Sequence, residues 1–258
     1  MSRWNPQLGE VFFTKLRLNL KAEVSKTYLG YAWWVLEPAL YVAVLFLVFG
    51  TFRGRGTEGF VVFLVCGTIP YLWFQKSVMN ATGSIVAGRG LINQVAISKA
   101  FFPLLVVFQD LVKQAFVFAV MVCFLLVYGI EPGWAWLFCL YLVVVELLVI
   151  VASALFVALV TTYIPDFRFL VTTGTMLLLF CSGLFFDYKD VILERHHDLF
   201  LLNPMARLVK NYRQVLLDHS QPDWLALFAI ALVSLAAIGL ILAAYRRTDT
   251  SLARLVVQ

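Results

Sequence analysis

Two stretches carry residue types that could do chemistry outright. "ERHHD", Glu194 to Asp198, sets two acids around an arginine and two adjacent histidines, the side chains of metal ligation and of acid and base catalysis. Helical metal motifs space their histidines four apart, and a metal site draws further ligands from elsewhere. Here the histidines are neighbours without a second cluster, and His219 stands alone, so the segment is expected to be a solvated loop. "GRGTEG" matches G-x-G-x-x-G at Gly54, Gly56 and Gly59. A dinucleotide fingerprint needs a strand before it and a helix after it. This one joins two long apolar runs and is expected to be an extracytoplasmic turn. No G-x-x-x-x-G-K-[ST] occurs, so nucleotide energy of that kind would come from a partner. No cofactor, metal or catalytic site is expected on this chain.

The apolar runs contain ionisable groups of their own. An ion at mid-bilayer costs at least ~2.5 kcal/mol on insertion scales and should face protein or water. Counted from Pro103, Lys113 lies about 15 Å into its run; counted from Trp134, Glu146 lies about 18 Å into the next. Across a ~30 Å hydrocarbon core these depths nearly meet, which predicts a Lys113–Glu146 pair between neighbouring spans. Asp110, one turn from Lys113, competes for the same ammonium.

The elements that position these residues follow from composition. The chain has 258 residues, 62% hydrophobic and 14% charged, against roughly 45–50% and 25% in soluble domains. It reads as an all-α integral membrane protein. Six runs are long enough to cross a bilayer, near residues 31–52, 60–78, 104–128, 134–160, 169–186 and 224–245. Twelve Lys and Arg fall on the side of the termini and seven on the other, so both termini are expected in the cytoplasm. The net charge of +5 then reflects orientation, not nucleic acid. Cys66, Cys123, Cys139 and Cys181 all lie in apolar stretches and read as small hydrophobes. The N-terminus lacks the pattern of a cleavable signal.

The division expected is a cytoplasmic interfacial segment (1–30), a six-span transmembrane domain (31–245) and a cytoplasmic tail (246–258). In the first, Leu8, Phe12, Phe13, Leu16, Leu20 and Val24 alternate with lysines and arginine, as in an amphipathic helix lying in the interface. "KLRLNLK" also fits a strand, but a lone strand there would leave both edges unpaired. Leu29-Gly30 can turn the chain into the first span, with Trp33 and Trp34 at headgroup depth and Glu37 near the mouth. A helix starting at Pro38 would be short of a full crossing, so it is expected to begin near Tyr31 and kink at Pro38. Between spans five and six, Asn203 caps a helix with Pro204 at its first position and Met205, Leu208, Val209, Tyr212 and Leu216 on one face. That helix could lie on the outer surface, form a re-entrant hairpin or be an ordered loop helix.

"LKAEVSKTYLGYAWWVLEPAL", "ISKAFFP", "YIPDFRFLV" and "NPMARLVKNYRQVLL" occur in an order and spacing that resemble the permease subunit of ATP-binding-cassette exporters for O-antigen and capsular polysaccharide. The resemblance implies a homodimer of six-helix subunits in the bacterial inner membrane. Two copies of a cytoplasmic ATPase would bind ATP and magnesium and drive a lipid-linked polysaccharide outward between the subunits. It implies that the N-terminal helix and the loop between spans two and three contact the ATPase. Short helices around Asn203, Pro204, Arg207, Tyr212 and Arg213 would gate the periplasmic exit. Gly30, Trp33, Trp34, Glu37 and Pro38 would form the hinge at the cytoplasmic mouth. Lys21, Lys26, Arg89 and Lys99 are available to a lipid phosphate, or serve only orientation. Two other readings use the same spans: the permease of a related drug or lipid exporter, and a membrane enzyme acting on lipid-linked sugars through "ERHHD".

Overall fold

The computed structural model describes residues 6–51, 59–94 and 97–257. Among them eight helices exceed ten residues: α1 (Pro6–Ser25), α2 (Trp33–Leu45), α3 (Phe60–Thr82), α4 (Phe101–Val127), α5 (Cys139–Tyr163), α6 (Phe167–Phe180), α7 (Pro204–Leu216) and α8 (Trp224–Val257). "KLRLNLK" is helical, within α1. Of "GRGTEG", Gly54 and Gly56 lie outside the described residues.

Among the described residues five helical segments are long and apolar enough to cross a membrane: Gly30–Phe49, Phe60–Thr82, Phe101–Val127, Trp134–Tyr163 and Trp224–Thr248. The chain is thus a multi-pass helical membrane protein. The fifth expected span differs from its sequence reading. Residues 169–186 were expected to form one crossing, but α6 has 14 residues and stops at Phe180, roughly 21 Å against a ~30 Å core. Its continuation is a turn in which Gly183 takes φ +68°, a left-handed conformation that ends the helix. The last helix, α8, runs through Arg246 and Arg247 to Val257 without a break.

The bundle is built around α3, whose apolar window is 78% buried while those of α2 and α8 are each 11% buried. Leu64, Tyr71 and Trp73 of α3 share one core with Val107 and Leu125 of α4, Leu142 and Ile150 of α5, and Leu208 and Tyr212 of α7. The Tyr71 hydroxyl donates to the carbonyl of Thr175, fastening α6 to this centre. A second cluster at the opposite end joins Phe102, Leu155, Tyr245 and Leu252. Exposed Leu40 and Val44 on α2, Leu47 just after it, and Leu225, Phe228 and Leu232 on α8 would be costly in water. A hydrocarbon phase or another helical surface suits them.

At the N-terminal end Phe12 of α1 packs edge-on against Phe101 and Phe108 of α4, with ring centroids 5.4 and 5.5 Å apart. Gly30 takes φ +53° and begins a short 3-10 turn that feeds α2. The first span therefore starts before Pro38, as the length argument required. Pro38 is buried past the first turn of α2, where its missing N–H removes one bond from the helical ladder.

Candidate functional site

Side-chain hydrogen bonds tie α7 to several neighbouring elements. Its start follows the sequence: Asn203 Oδ1 accepts from the Met205 N–H at 2.9 Å and Pro204 occupies the first turn. Asn203 Nδ2 also donates to the Cys181 carbonyl and to Ser182 Oγ, each at 3.1 Å. The same cap thereby fixes the turn after α6. Met205, Leu208, Val209, Tyr212 and Leu216 are all buried. This helix is wedged into the bundle between α3 and α5, rather than laid over it. Arg207 binds its start to that of α8, donating to the Leu201 carbonyl at 3.0 Å and to Asp223 Oδ2 at 3.2 Å. Buried Asn211 accepts from the Asp223 N–H at 2.7 Å.

Arg213 is the rivet. Its guanidinium donates to the carbonyls of Phe63 at 3.1 Å, Gly183 at 2.7 Å and Leu184 at 2.9 Å. It also lies 3.4 Å from the Phe63 ring centroid, a cation–π contact. One side chain so joins α7, the first turn of α3 and the turn after α6. Burial pulls its pKa down to about 9, which leaves it protonated at neutral pH. The approach needs Gly67, because a Cβ there would stand 2.5 Å from Arg213 Nη2. Gly67→Ala is expected to push the guanidinium off its carbonyls and cost about 1–3 kcal/mol. Thermal unfolding of the purified protein checks this, and an unshifted midpoint would contradict it.

Deeper in, the Tyr212 hydroxyl donates to Glu146 Oε2 at 2.7 Å. Glu146 is fully buried, and its Oε1 has no protein partner. The expected Lys113–Glu146 pair is therefore corrected. Lys113 Nζ lies 2.7 Å from Glu23 Oε2 and 3.3 Å from Asp110 Oδ1, and Asp110 Oδ2 accepts from Asn80 at 3.0 Å. Depth along a helix is set by residue rise, but the face is not. The long lysine stem turns back toward the α1 end, where two acids wait. The competing partner Asp110 is engaged, and Glu23 ties α1 to α4.

At the same end Glu37 of α2 pairs with Lys76 of α3 at 2.8 Å, both partly exposed. The tryptophan pair is divided. Trp33 is 41% exposed, whereas Trp34 packs edge-on against Tyr31 and Phe116 at 4.9 and 6.4 Å. Lys21, Lys26 and Arg89 are exposed. Lys99 is instead buried, donating to the Ile97 carbonyl at 3.2 Å. Ile97 lies in an irregular stretch before α4, where a carbonyl has no helical donor to satisfy it. In "ERHHD", the His197 Nε2 lies 2.8 Å from the Ile192 carbonyl, and its ring meets Tyr188 edge-on. Among the described residues no group of three or more His, Cys, Asp or Glu is placed to hold a metal. Beside α7 a cavity of ≈ 420 Å³ is lined by Phe186, Tyr188, Phe200, Lys210 and Arg213.

A central buried helix and a wedged α7, in a chain with five helical segments long and apolar enough to cross a bilayer among the described residues, define a polytopic helical membrane protein. No family profile matches the chain. Over most of its length it is similar to proteins of O-antigen export and polysialic acid transport. It is 26% identical over 233 residues to the O-antigen export system permease protein RfbA of Myxococcus xanthus, covering 90% of each chain. It is 23% identical over 224 residues to the RfbA permease of Klebsiella pneumoniae, covering 86% of each. To the polysialic acid transport protein KpsM of Escherichia coli it is 24% identical over 241 residues, covering 90% of this chain and 91% of the relative.

Proposed function

We propose that this chain is the membrane-spanning permease subunit of an ATP-driven exporter for a lipid-linked polysaccharide of O-antigen or capsule type. The observation that carries the reading is similarity over about nine tenths of the chain to an O-antigen export system permease protein and to a polysialic acid transport protein. ATP and magnesium belong to a separate cytoplasmic ATPase. In this reading α6 and the turn after it complete a sixth crossing, and an even number of crossings returns both termini to the cytoplasmic face of the inner membrane. Along that face α1 lies in the interface and, with the loop after α3, meets the ATPase. The Glu23–Lys113 contact at 2.7 Å would pass a movement of α1 to α4.

The exposed apolar faces of α2 and α8 suit a second copy, with the polymer path between the two subunits. Gly30, Trp33, Trp34, Glu37 and Pro38 stand at its cytoplasmic mouth, and exposed Lys21, Lys26 and Arg89 are the candidate contacts for a lipid phosphate. At the outer end α7 and the aromatic cavity beside it form the exit. Tyr188 and Phe200 stack there with centroids 5.8 Å apart, a surface suited to the CH faces of sugars. The test is complementation. In a strain lacking its own O-antigen permease, this chain with its cognate ATPase should restore surface polymer on immunoblots. Restoration by the chain without any ATPase would refute the reading.

A further inference from the structure

Helices α2, α3 and α4 enclose two chambers that touch. One, of ≈ 280 Å³, is walled by Glu23, Glu37, Asn80, Asp110 and Gln114, with Trp34 and Trp73. The other, of ≈ 350 Å³, is walled by Ala39, Val42, Phe46, Val65, Val120 and Phe124. Pro38, Ile69 and Val117 line both, so the two form one cleft. All three helices agree on its direction. From Glu37 on α2 to Phe46 just past its end, and along α4 from Asp110 to Phe124, polar walls at the α1 end give way to apolar ones. On α3, which runs the opposite way, the order is reversed.

A cavity that changes from polar to apolar along a membrane helix matches an amphiphile lying parallel to it. The polar chamber selects among headgroups. Its two ammoniums are already spent, Lys76 on Glu37 at 2.8 Å and Lys113 on Glu23 at 2.7 Å and Asp110 at 3.3 Å. Three carboxylates against two ammoniums disfavour a phosphate. The amides of Asn80 and Gln114 each use one N–H, on Asp110 Oδ2 at 3.0 Å and on the Ile69 carbonyl at 3.5 Å, which leaves each a second N–H and an oxygen; with the carboxylates and two indole rings these are an inventory for hydroxyls and CH faces. The Trp73 indole N–H is buried without a partner, a donor still unused in the chamber's wall. The α2 wall of the cleft is peripheral, burying only Pro38 and Val42.

We propose that this cleft binds one lipid with a glycosyl headgroup, the sugar in the polar chamber and the hydrocarbon chain in the apolar one. The inference goes beyond the export reading, because binding requires neither the ATPase nor transport. The test places the full chain in nanodiscs with equal amounts of monoglucosyl diacylglycerol and phosphatidylglycerol and counts retained lipid by native mass spectrometry. The glycolipid should be retained over phosphatidylglycerol by roughly tenfold, about what one or two hydrogen bonds supply. Ala39→Phe, which fills the apolar chamber, should abolish glycolipid retention. Asn80→Ala, which removes a polar-chamber amide that also donates to Asp110 Oδ2, should cut the preference by about three- to tenfold in protein whose thermal midpoint shows it folded. Equal retention of the two lipids, preference for phosphatidylglycerol, or unchanged retention in both variants would overturn the proposal. Export could still be ATP-driven in that case, so this failure is separable from failure of the permease reading.

Discussion

Arg213→Ala is expected to unseat α7 and abolish export. The substitution strips the donor from the buried Gly183 and Leu184 carbonyls, together with a further bond to Phe63 and a cation–π contact. Orphaned buried polar groups cost about 1–3 kcal/mol each, so the two carbonyls alone amount to about 2–6 kcal/mol. Net stabilities of order 5–15 kcal/mol leave little margin for such a loss. Arg213→Lys should recover only part of it, because an ammonium lacks the planar fork that reaches several acceptors at once. The readouts are the unfolding midpoint of the purified protein and surface polymer in complemented cells. Wild-type values for Arg213→Ala in both would remove Arg213 from its place in the account.

The second large effect belongs to Glu146. Tyr212→Phe takes away the hydroxyl that donates to Oε2 and leaves a fully buried carboxyl with neither oxygen bonded to protein. A loss of about 1–3 kcal/mol is expected. The double variant Glu146→Met with Tyr212→Phe replaces both polar partners by apolar ones of similar bulk and should return close to wild-type stability. Export separates structure from function here. If the double variant is stable yet silent, the bond itself works during transport; if it exports normally, the bond only positions α7. Additive destabilisation in the double variant would contradict coupling between the two residues.

Much of this architecture was legible in the residues, because the bilayer imposes a length that a run of apolar side chains either meets or misses. The helix beginning at Asn203-Pro204 was readable down to its cap and buried face, since capping and periodicity are local. What stayed hidden depends on rotation and on distant backbone. The partners of Lys113 turn on which face of α4 meets α1, and spacing within one helix cannot report that. Arg213 reaches a carbonyl 150 residues away, and a carbonyl carries no residue-specific signal. Gly67 looked like any small residue in a span until the guanidinium it admits was in place. The early end of α6 was masked because residues 181–186 are as apolar as a membrane helix, though Gly183 turns the chain aside.

The central claim is that this chain conducts a polymer while another subunit supplies the energy. The most direct measurement reconstitutes the purified chain with its cytoplasmic ATPase in proteoliposomes and follows a labelled lipid-linked polysaccharide into a protected compartment. Protection that requires ATP, magnesium and both subunits, and that disappears with Arg213→Ala, is the predicted result. Protection by this chain alone, driven by an ion gradient without ATP, would contradict the account.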